Sequence, residues 1–225
     1  MAYDGFLKYT LGEGVEAFTT MRDSALPYSV ICGHQVHGNK VAVVDDPSLS
    51  REDLEGYDAL VTGLPVAIGV RTADCVPILL YDPANRVVAA VHSGWKGTVQ
   101  KIVFNAISVM ASKFGSSSSN LAAVIGPGIS FDNFQVGEEV PQFFKEAGFP
   151  LDLIWRWDGV PQSETMRGGH HIDLKAANKW LLENAGIPSS NIQCSDICTF
   201  ADMRFFSARR EGYDCGRNIN FIRLK

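Results

Sequence analysis

Three short segments carry side chains able to bind a metal or act as nucleophiles: His34-Gln35-Val36-His37-Gly38, Arg71-Thr72-Ala73-Asp74-Cys75-Val76-Pro77 and Val91-His92-Ser93-Gly94-Trp95-Lys96-Gly97. Each places a histidine or cysteine where an apolar run meets a turn. From such positions separate strands can bring side chains to one rigidly held pocket. His37, Cys75 and His92 form the natural trio. Two imidazoles and one thiolate suit Zn2+, and three protein ligands leave a fourth position for water or substrate, as in catalytic rather than structural zinc. The separations along the chain are too long for a zinc finger. The same residues permit a second chemistry, with Cys75 as nucleophile and His92 or His37 as its base. A metal would deprotonate the thiol and occupy its lone pairs, whereas a dyad would leave it free to form a covalent intermediate. Residue type alone does not separate the two, and core histidines with an inert buried cysteine are a third outcome.

The elements that must hold these residues are legible as apolar runs. KVAVV (40–44), VAIGV (66–70), VPILLY (76–81) and VVAAV (87–91) are short and nearly continuous, which predicts strands buried on both faces. LAAVI (121–125) and FIRL (221–224) predict two more. Ile102, Val103, Ala106, Ile107, Met110 and Phe114 recur at helical spacing, so a helix is expected from an N-cap at Thr98 to a stop at Gly115. Leu174, Ala177, Leu181 and Leu182 predict a second helix over 173–185, ending before Gly186 and Pro188. Turns such as Asp82-Pro83-Ala84-Asn85 join closely spaced strands, which favours hairpins and an α+β class over regular βαβ winding. Neither GxGxxG nor GxxxxGK[ST] occurs, so Gly126-Pro127-Gly128 is read as a turn and not as a phosphate loop.

The 225 residues, 46% apolar and 20% charged, suit one globular domain spanning 1–225 with a core that needs no disulfide staples. A net charge of −5 lacks the positive field that phosphate-backbone binding requires, so no nucleic-acid partner is expected. No basic n-region with an apolar h-region opens the sequence, and no run approaches the roughly 20 apolar residues of a membrane span. The five scattered cysteines read as reduced thiols. A soluble, cytoplasmic protein without a membrane partner is the expectation.

Taken in order, HQVHG (34–38), DALVT (58–62), RTADCVP (71–77), VHSGWKGT (91–98), IGPGI (125–129), FQVG (134–137), HIDLKAAN (171–178), and CT with FFSARREG and CGR between 198 and 217 resemble the multicopper polyphenol oxidoreductase (laccase)-like family. That family includes peptidoglycan editing factors and purine nucleoside phosphorylase-like proteins, and the resemblance spans nearly the whole chain. It implies a single-domain α/β/β/α sandwich with mixed sheets and a metal site on His37, Cys75 and His92, which selects the metal chemistry over the bare thiol. The implied activity is zinc-dependent phosphorolysis of adenosine, inosine and methylthioadenosine with deamination of adenosine, and the implied partners are a nucleoside and phosphate. A cysteine hydrolase or amidase editing peptidoglycan precursors is one alternative, and copper-dependent polyphenol oxidation, the older label, is another. The chain has only His34, His37, His92, His170 and His171, with no HxH pattern. A single ion with mixed nitrogen and sulfur ligands therefore fits better than several coppers, although copper can occupy such a site in vitro. The H-x-E and P-C-x-x-C deaminase signature is absent, so deamination would use an unrelated arrangement.

Within that reading Cys75, Asp74 and Arg71 are the expected catalytic residues. Asp74 would orient a ligand or move a proton, unless it is simply bonded to its turn. Arg71, Arg209, Arg210 and Lys96 are candidates for phosphate, because guanidinium forks match its oxygens. Gln35 would meet substrate or a ligand's second nitrogen. His170 and His171 read as solvated or helix-capping groups, Trp95 and Phe205-Phe206 as core or as a stacking face for a purine, and Cys198 and Cys215 as structural. The family's Thr-Thr-Arg followed by a Gly-Gly pair is replaced here by Thr19-Thr20-Met21-Arg22-Asp23, so a substrate role for Arg22 does not carry over. A monomer or a homodimer is compatible with all of this.

Overall fold

The apolar runs become neighbouring strands of two stacked sheets. The computed structural model describes residues 5–159 and 169–225. The first strands are β1 (Phe6–Tyr9), β2 (Val15–Thr20), β3 (Ile31–Cys32), β4 (Val41–Val43), β5 (Ala59–Thr62), β6 (Ile68–Thr72), β7 (Val76–Asp82) and β8 (Val87–Ser93). There follow α1 (Trp95–Val99), α2 (Ile102–Phe114), β9 (Ala122–Ile125), β10 (Gln135–Val136), α3 (Glu139–Glu146) and α4 (Leu151–Ile154). The remainder is β11 (Trp155–Trp157), β12 (His170–Ile172), α5 (Leu174–Asn184), β13 (Ile192–Cys194), α6 (Ala208–Glu211) and β14 (Asn218–Leu224). A six-stranded sheet runs β13-β9-β7-β8-β5-β4, a five-stranded sheet runs β1-β2-β14-β6-β3, and a three-stranded sheet runs β10-β12-β11. Both large sheets are mixed, with β4/β5, β9/β13 and β3/β6 parallel and the other pairs antiparallel. The chain thus has the α+β sandwich class expected of it.

The continuous apolar runs at β7 and β8 reflect burial on both faces. Val76, Ile78 and Leu80 of β7 and Val87, Ala89 and Val91 of β8 join Ile102, Val103, Ala106 and Met110 of α2 and Ala177, Leu181 and Leu182 of α5 in one core. The alternate residues Leu79, Tyr81, Val88 and Ala90 meet Val15, Ala17, Ile68, Val70 and Ile222 of the facing sheet in a second. The period of two along each strand sends alternate apolar residues to one core and then the other. Each fully buried Val, Leu or Ile contributes about 1.5–3 kcal/mol. The turn at 82–85 closes the expected β7–β8 hairpin, with the Asp82 carboxylate accepting from the amides of Ala84 and Asn85 at 2.9 and 3.2 Å.

Two local expectations change. Thr98 is not an N-cap: it lies inside α1, fully buried, with its hydroxyl donating to the Gly94 carbonyl. The helix breaks at Lys101, whose φ of 56° is left-handed, and restarts at Ile102. Apolar spacing is blind to this break because Ser93, Thr98 and Asn178 bind one another beneath it, at 2.8–3.2 Å, and hold the first turn against α5. His171 is neither solvated nor capping. It is fully buried in β12, with Nδ1 2.9 Å from the Phe131 carbonyl oxygen, and Asp173 is the residue that caps α5, by accepting from the Ala176 amide.

Candidate metal centre

The centre is built around Asp58, a fully buried carboxylate immediately before β5. The antiparallel register pairs Ala59 with Val91, which brings Asp58 beside His92, the penultimate residue of β8. Asp58 Oδ1 lies 2.7 Å from His92 Nδ1. The same carboxylate accepts from the amides of Val36, His37 and Gly38 at 3.1, 2.9 and 2.8 Å. One buried acid therefore fixes two of the three residues of the trio. It holds the 36–38 turn, with His37 in the left-handed conformation at φ 62°, and it sets the His92 tautomer so that Nε2 faces outward.

Cys75 enters from the other side, where the chain passes from β6 in one sheet to β7 in the other. The turn is tight: Asp74 adopts φ 89°, uncommon for a residue with a side chain. The ligand atoms of His37, Cys75 and His92 all lie within 4.8 Å of one another, so a modest inward shift of the side chains would bring them to bonds of about 2.0–2.3 Å on one ion. Gly94 makes that convergence possible, because a Cβ at this position would stand 2.9 Å from Cys75 Sγ and 3.1 Å from His37 Cδ2. The donor set of two nitrogens and one sulfur, the convergent geometry and the glycine cradle fit a single borderline-soft divalent ion.

In the metal-free cluster Cys75 and His92 form an ion pair, whose imidazole proton a bound cation would have to displace. Burial opposes ionisation of Cys75, yet the charge of His92 and hydrogen bonds from His37 and His92 outweigh it and bring the thiol down to about 6. Burial likewise disfavours the charged form of His92, but the Cys75 thiolate and the bond to Asp58 raise it to about 9. Asp58 is desolvated too, and the donors around it hold its carboxyl below the usual range.

The cluster opens onto a cleft of about 500 Å3, a size usual for small-molecule sites, lined by His37, Asp74, Cys75, Trp95, Phe134, Glu139, Arg209 and Tyr213 among others. Asp74, nearly buried, accepts from the Thr199 hydroxyl (2.7 Å), the Ser207 hydroxyl (3.0 Å) and the Arg209 amide (2.7 Å). It thereby ties the start of α6 to the cleft. The Arg209 side chain runs over Phe134 and donates to the carbonyls of Asn133 and Gln135.

The other expected site residues stand elsewhere. Gln35 binds the Arg71 backbone through both ends of its amide, at 2.9 and 2.8 Å, and so continues the β3/β6 pairing. Arg71 is exposed on β6 and does not line the cleft. Lys96 is exposed, with Nζ 5.6 Å from the centre of the Trp95 ring. Arg210 is a staple: its guanidinium donates to the carbonyls of Thr199, Phe200 and Phe205 and pairs with Glu211. Gln35, Arg71, Lys96 and Arg210 thus stand off the cleft lining, and of the four cationic candidates Arg209 is the one on it. Arg22 pairs with Glu211 and stacks on Phe206, while Phe205 is core. His34 pairs with Glu55, and His170 accepts from the Trp155 indole.

Asp58 is the residue that sequence reasoning missed. Its signal was an acid placed directly before a largely apolar strand, DALVT, where a solvated turn residue and a buried anchor look alike.

Fold and site together define an α+β sandwich protein with a candidate two-histidine, one-cysteine metal centre at the mouth of a cleft. Over residues 16–225 the chain matches the family described as multi-copper polyphenol oxidoreductase laccase, and it belongs to that family. It is 38% identical over 209 residues to the purine nucleoside phosphorylase of Bacteroides thetaiotaomicron, covering 89% of this chain and 75% of that one. It is 40% identical over 205 residues to the adenosine deaminase RL5 of an unknown prokaryotic organism, covering 87% and 75%. Among solved structures, Bacillus licheniformis hypothetical protein YfiH superposes with a TM-score of 0.86 at 25% identity over 99% of this chain and 97% of that one. YlmD from Geobacillus stearothermophilus shares the fold, with a TM-score of 0.83 at 24% identity over 100% and 98%.

Proposed function

We propose that this chain is a zinc-dependent purine nucleoside phosphorylase that also deaminates adenosine. The observation that carries the reading is the convergence of His37, Cys75 and His92 on a cleft shared with Arg209. Bound zinc would supply Lewis acidity at neutral pH without redox chemistry. Two of the five N–H donors of Arg209 bind carbonyls, and the others suit two oxygens of a phosphate. Asp74 positions this arginine by accepting its backbone amide. Glu139, on the same cleft, offers negative charge to a sugar that becomes cationic as the purine leaves. Asp58 keeps His92 in the tautomer that presents Nε2.

The histidines argue for one ion rather than several. His34, His170 and His171 bind Glu55, Trp155 and Phe131, and none joins the cluster. Copper can compete for such a donor set in vitro, but the oxidase reading lacks ligands for a multicopper centre. One arrangement favours the second reading, a cysteine hydrolase or amidase acting on peptidoglycan precursors: Cys75, His92 and Asp58 stand in the order nucleophile, base, orienting carboxylate. His37 distinguishes the two, since a third converging ligand has no place in a bare dyad. Five free thiols suit a reducing compartment, so we place the protein in the cytoplasm. Among the described residues no helix is long and apolar enough to cross a membrane.

The test is base release from adenosine and inosine, with and without phosphate, by protein of measured metal content beside Cys75→Ala and Arg209→Ala. Phosphorolysis requires about one zinc per chain, loss of metal and turnover in Cys75→Ala, and a raised phosphate KM with metal retained in Arg209→Ala. Metal-free protein that retains activity and is stopped by stoichiometric alkylation of Cys75 would establish the hydrolase instead.

A further inference from the structure

Tyr213 lies between α6 and β14, in a segment whose backbone is held by hydrogen bonds while its side chain stands exposed. Gly212 turns the chain at φ 89°, the Cys215 amide donates back to the Gly212 carbonyl at 3.3 Å, and Arg217 Nη2 donates to the Tyr213 carbonyl at 2.7 Å. Arg217 also holds the Gly216 carbonyl at 3.0 Å. The Tyr213 side chain nonetheless lines the cleft that holds the metal cluster, and it is 86% exposed. Among the described residues its ring stacks on no other ring and its hydroxyl makes no hydrogen bond. The other large rings of the cleft are engaged. Trp95 stacks on Phe143, with centroids 5.9 Å apart and planes at 28°, and Phe134 lies 5.6 Å from the Arg209 guanidinium.

A large aromatic side chain left in water at the wall of a small-molecule cleft, on a backbone already ordered, loses little conformational entropy when a flat ligand covers it. We propose that Tyr213 is the stacking face for the purine base, and so a specificity-determining residue of this chain; the inference rests on the nucleoside reading above. Stacking needs no hydroxyl and grows with ring area, so it favours a bicyclic purine over a pyrimidine and a nucleoside over a sugar phosphate. Because the ring meets the base in ground state and transition state alike, its loss raises KM and leaves kcat nearly unchanged.

The experiment measures steady-state phosphorolysis of adenosine and equilibrium binding of adenosine by calorimetry, using zinc-loaded parent, Tyr213→Ala and Tyr213→Phe. In Tyr213→Ala, KM and Kd for adenosine rise about 5- to 150-fold, the range of one base–aromatic stack. In this variant kcat, metal content and melting temperature stay at the parent values, and Tyr213→Phe matches the parent throughout. Binding in Tyr213→Ala within two-fold of the parent, or Tyr213→Phe as weak as Tyr213→Ala, overturns the stacking role and leaves the phosphorylase reading standing. A parent that neither binds nor turns over any purine nucleoside overturns both.

Discussion

Asp58 and Asp74 are both desolvated carboxylates at strand ends beside the cleft, and both are saturated with donors, yet they build its two walls in different ways. Asp58 binds three successive amides and His92, all from the first 92 residues and all placed by the register of β5 against β8. Asp74 binds two hydroxyls and one amide from residues 199, 207 and 209, more than 120 positions away along the chain. The wall that carries the candidate metal cluster is thus part of the sheet, whereas the wall that carries Arg209 is a C-terminal segment fastened to the sheet by side-chain bonds. If the first wall holds the cation and Arg209 on the second holds phosphate, as proposed, the two can be damaged independently.

The largest expected effect comes from breaking the first wall. Asp58→Ala leaves the buried His92 and the amides of Val36, His37 and Gly38 without their acceptor, which costs about 3–5 kcal/mol, as for a buried ion pair that loses one partner. For a chain of this size that lowers the melting temperature by about 10 °C. Zinc affinity falls about 10- to 100-fold because the imidazole is no longer oriented. Thermal unfolding and a competitive zinc titration check both effects. Parental zinc affinity in a folded variant would show that the register alone places His92 and that Asp58 is dispensable.

A smaller and different loss is expected on the second wall. Asp74→Asn keeps the volume and one acceptor oxygen but removes the charge that holds two hydroxyls and the Arg209 amide, costing about 1–3 kcal/mol. Zinc stoichiometry and affinity stay at the parent level, while the phosphate KM rises because Arg209 is no longer anchored. If zinc is lost together with phosphate, the two walls are one cooperative unit and the contrast drawn above is wrong.

The same contrast explains what could be read from sequence. The strands at 76–81 and 87–91 announce themselves because burial on both faces removes every polar residue from them, and α5 does so through its spacing and the Gly186 and Pro188 that stop it. His37, Cys75 and His92 were legible because their chemistry is rare and each falls where an apolar run stops. The wall that carries Arg209 was not legible in the same way. Arg209 and Arg210 are adjacent in a helix of four residues. Nothing local says that one meets the cleft and the other staples three carbonyls, since that depends on Asp74, 135 positions earlier. Asp58 was hidden for the opposite reason: its partners are near in sequence, but its burial depends on β8 lying alongside. Arg71 and Gln35 are read as site residues because they sit within the motifs, and the structure shows the Gln35 amide bound to the Arg71 backbone at the sheet edge.

The smallest expected effect supplies the control. Asp82 is a third buried carboxylate, in the β7–β8 turn at the far end of the strand that begins beside Cys75. Burial would raise its pKa, but the Ser116 hydroxyl and the donors of Asn85 and Ala84 outweigh this and hold it below the usual value. A carboxyl depressed in the folded state stabilises the fold above its unfolded pKa of about 3.9, and that stabilisation is lost as pH falls through the lower folded value. Asp82→Asn should therefore be less stable than the parent by about 1–2 kcal/mol at neutral pH. The gap should stay constant down to about pH 4 and close at more acid pH, where the parent carboxyl is itself protonated. Urea unfolding at neutral pH and at several acid values reads both the gap and its closure. Because this turn touches neither wall, zinc affinity and phosphate KM should match the parent at neutral pH. A change in either would mean that strain travels the length of β7 into Cys75, and that the separation of the two walls holds only while the hairpin behind them is intact.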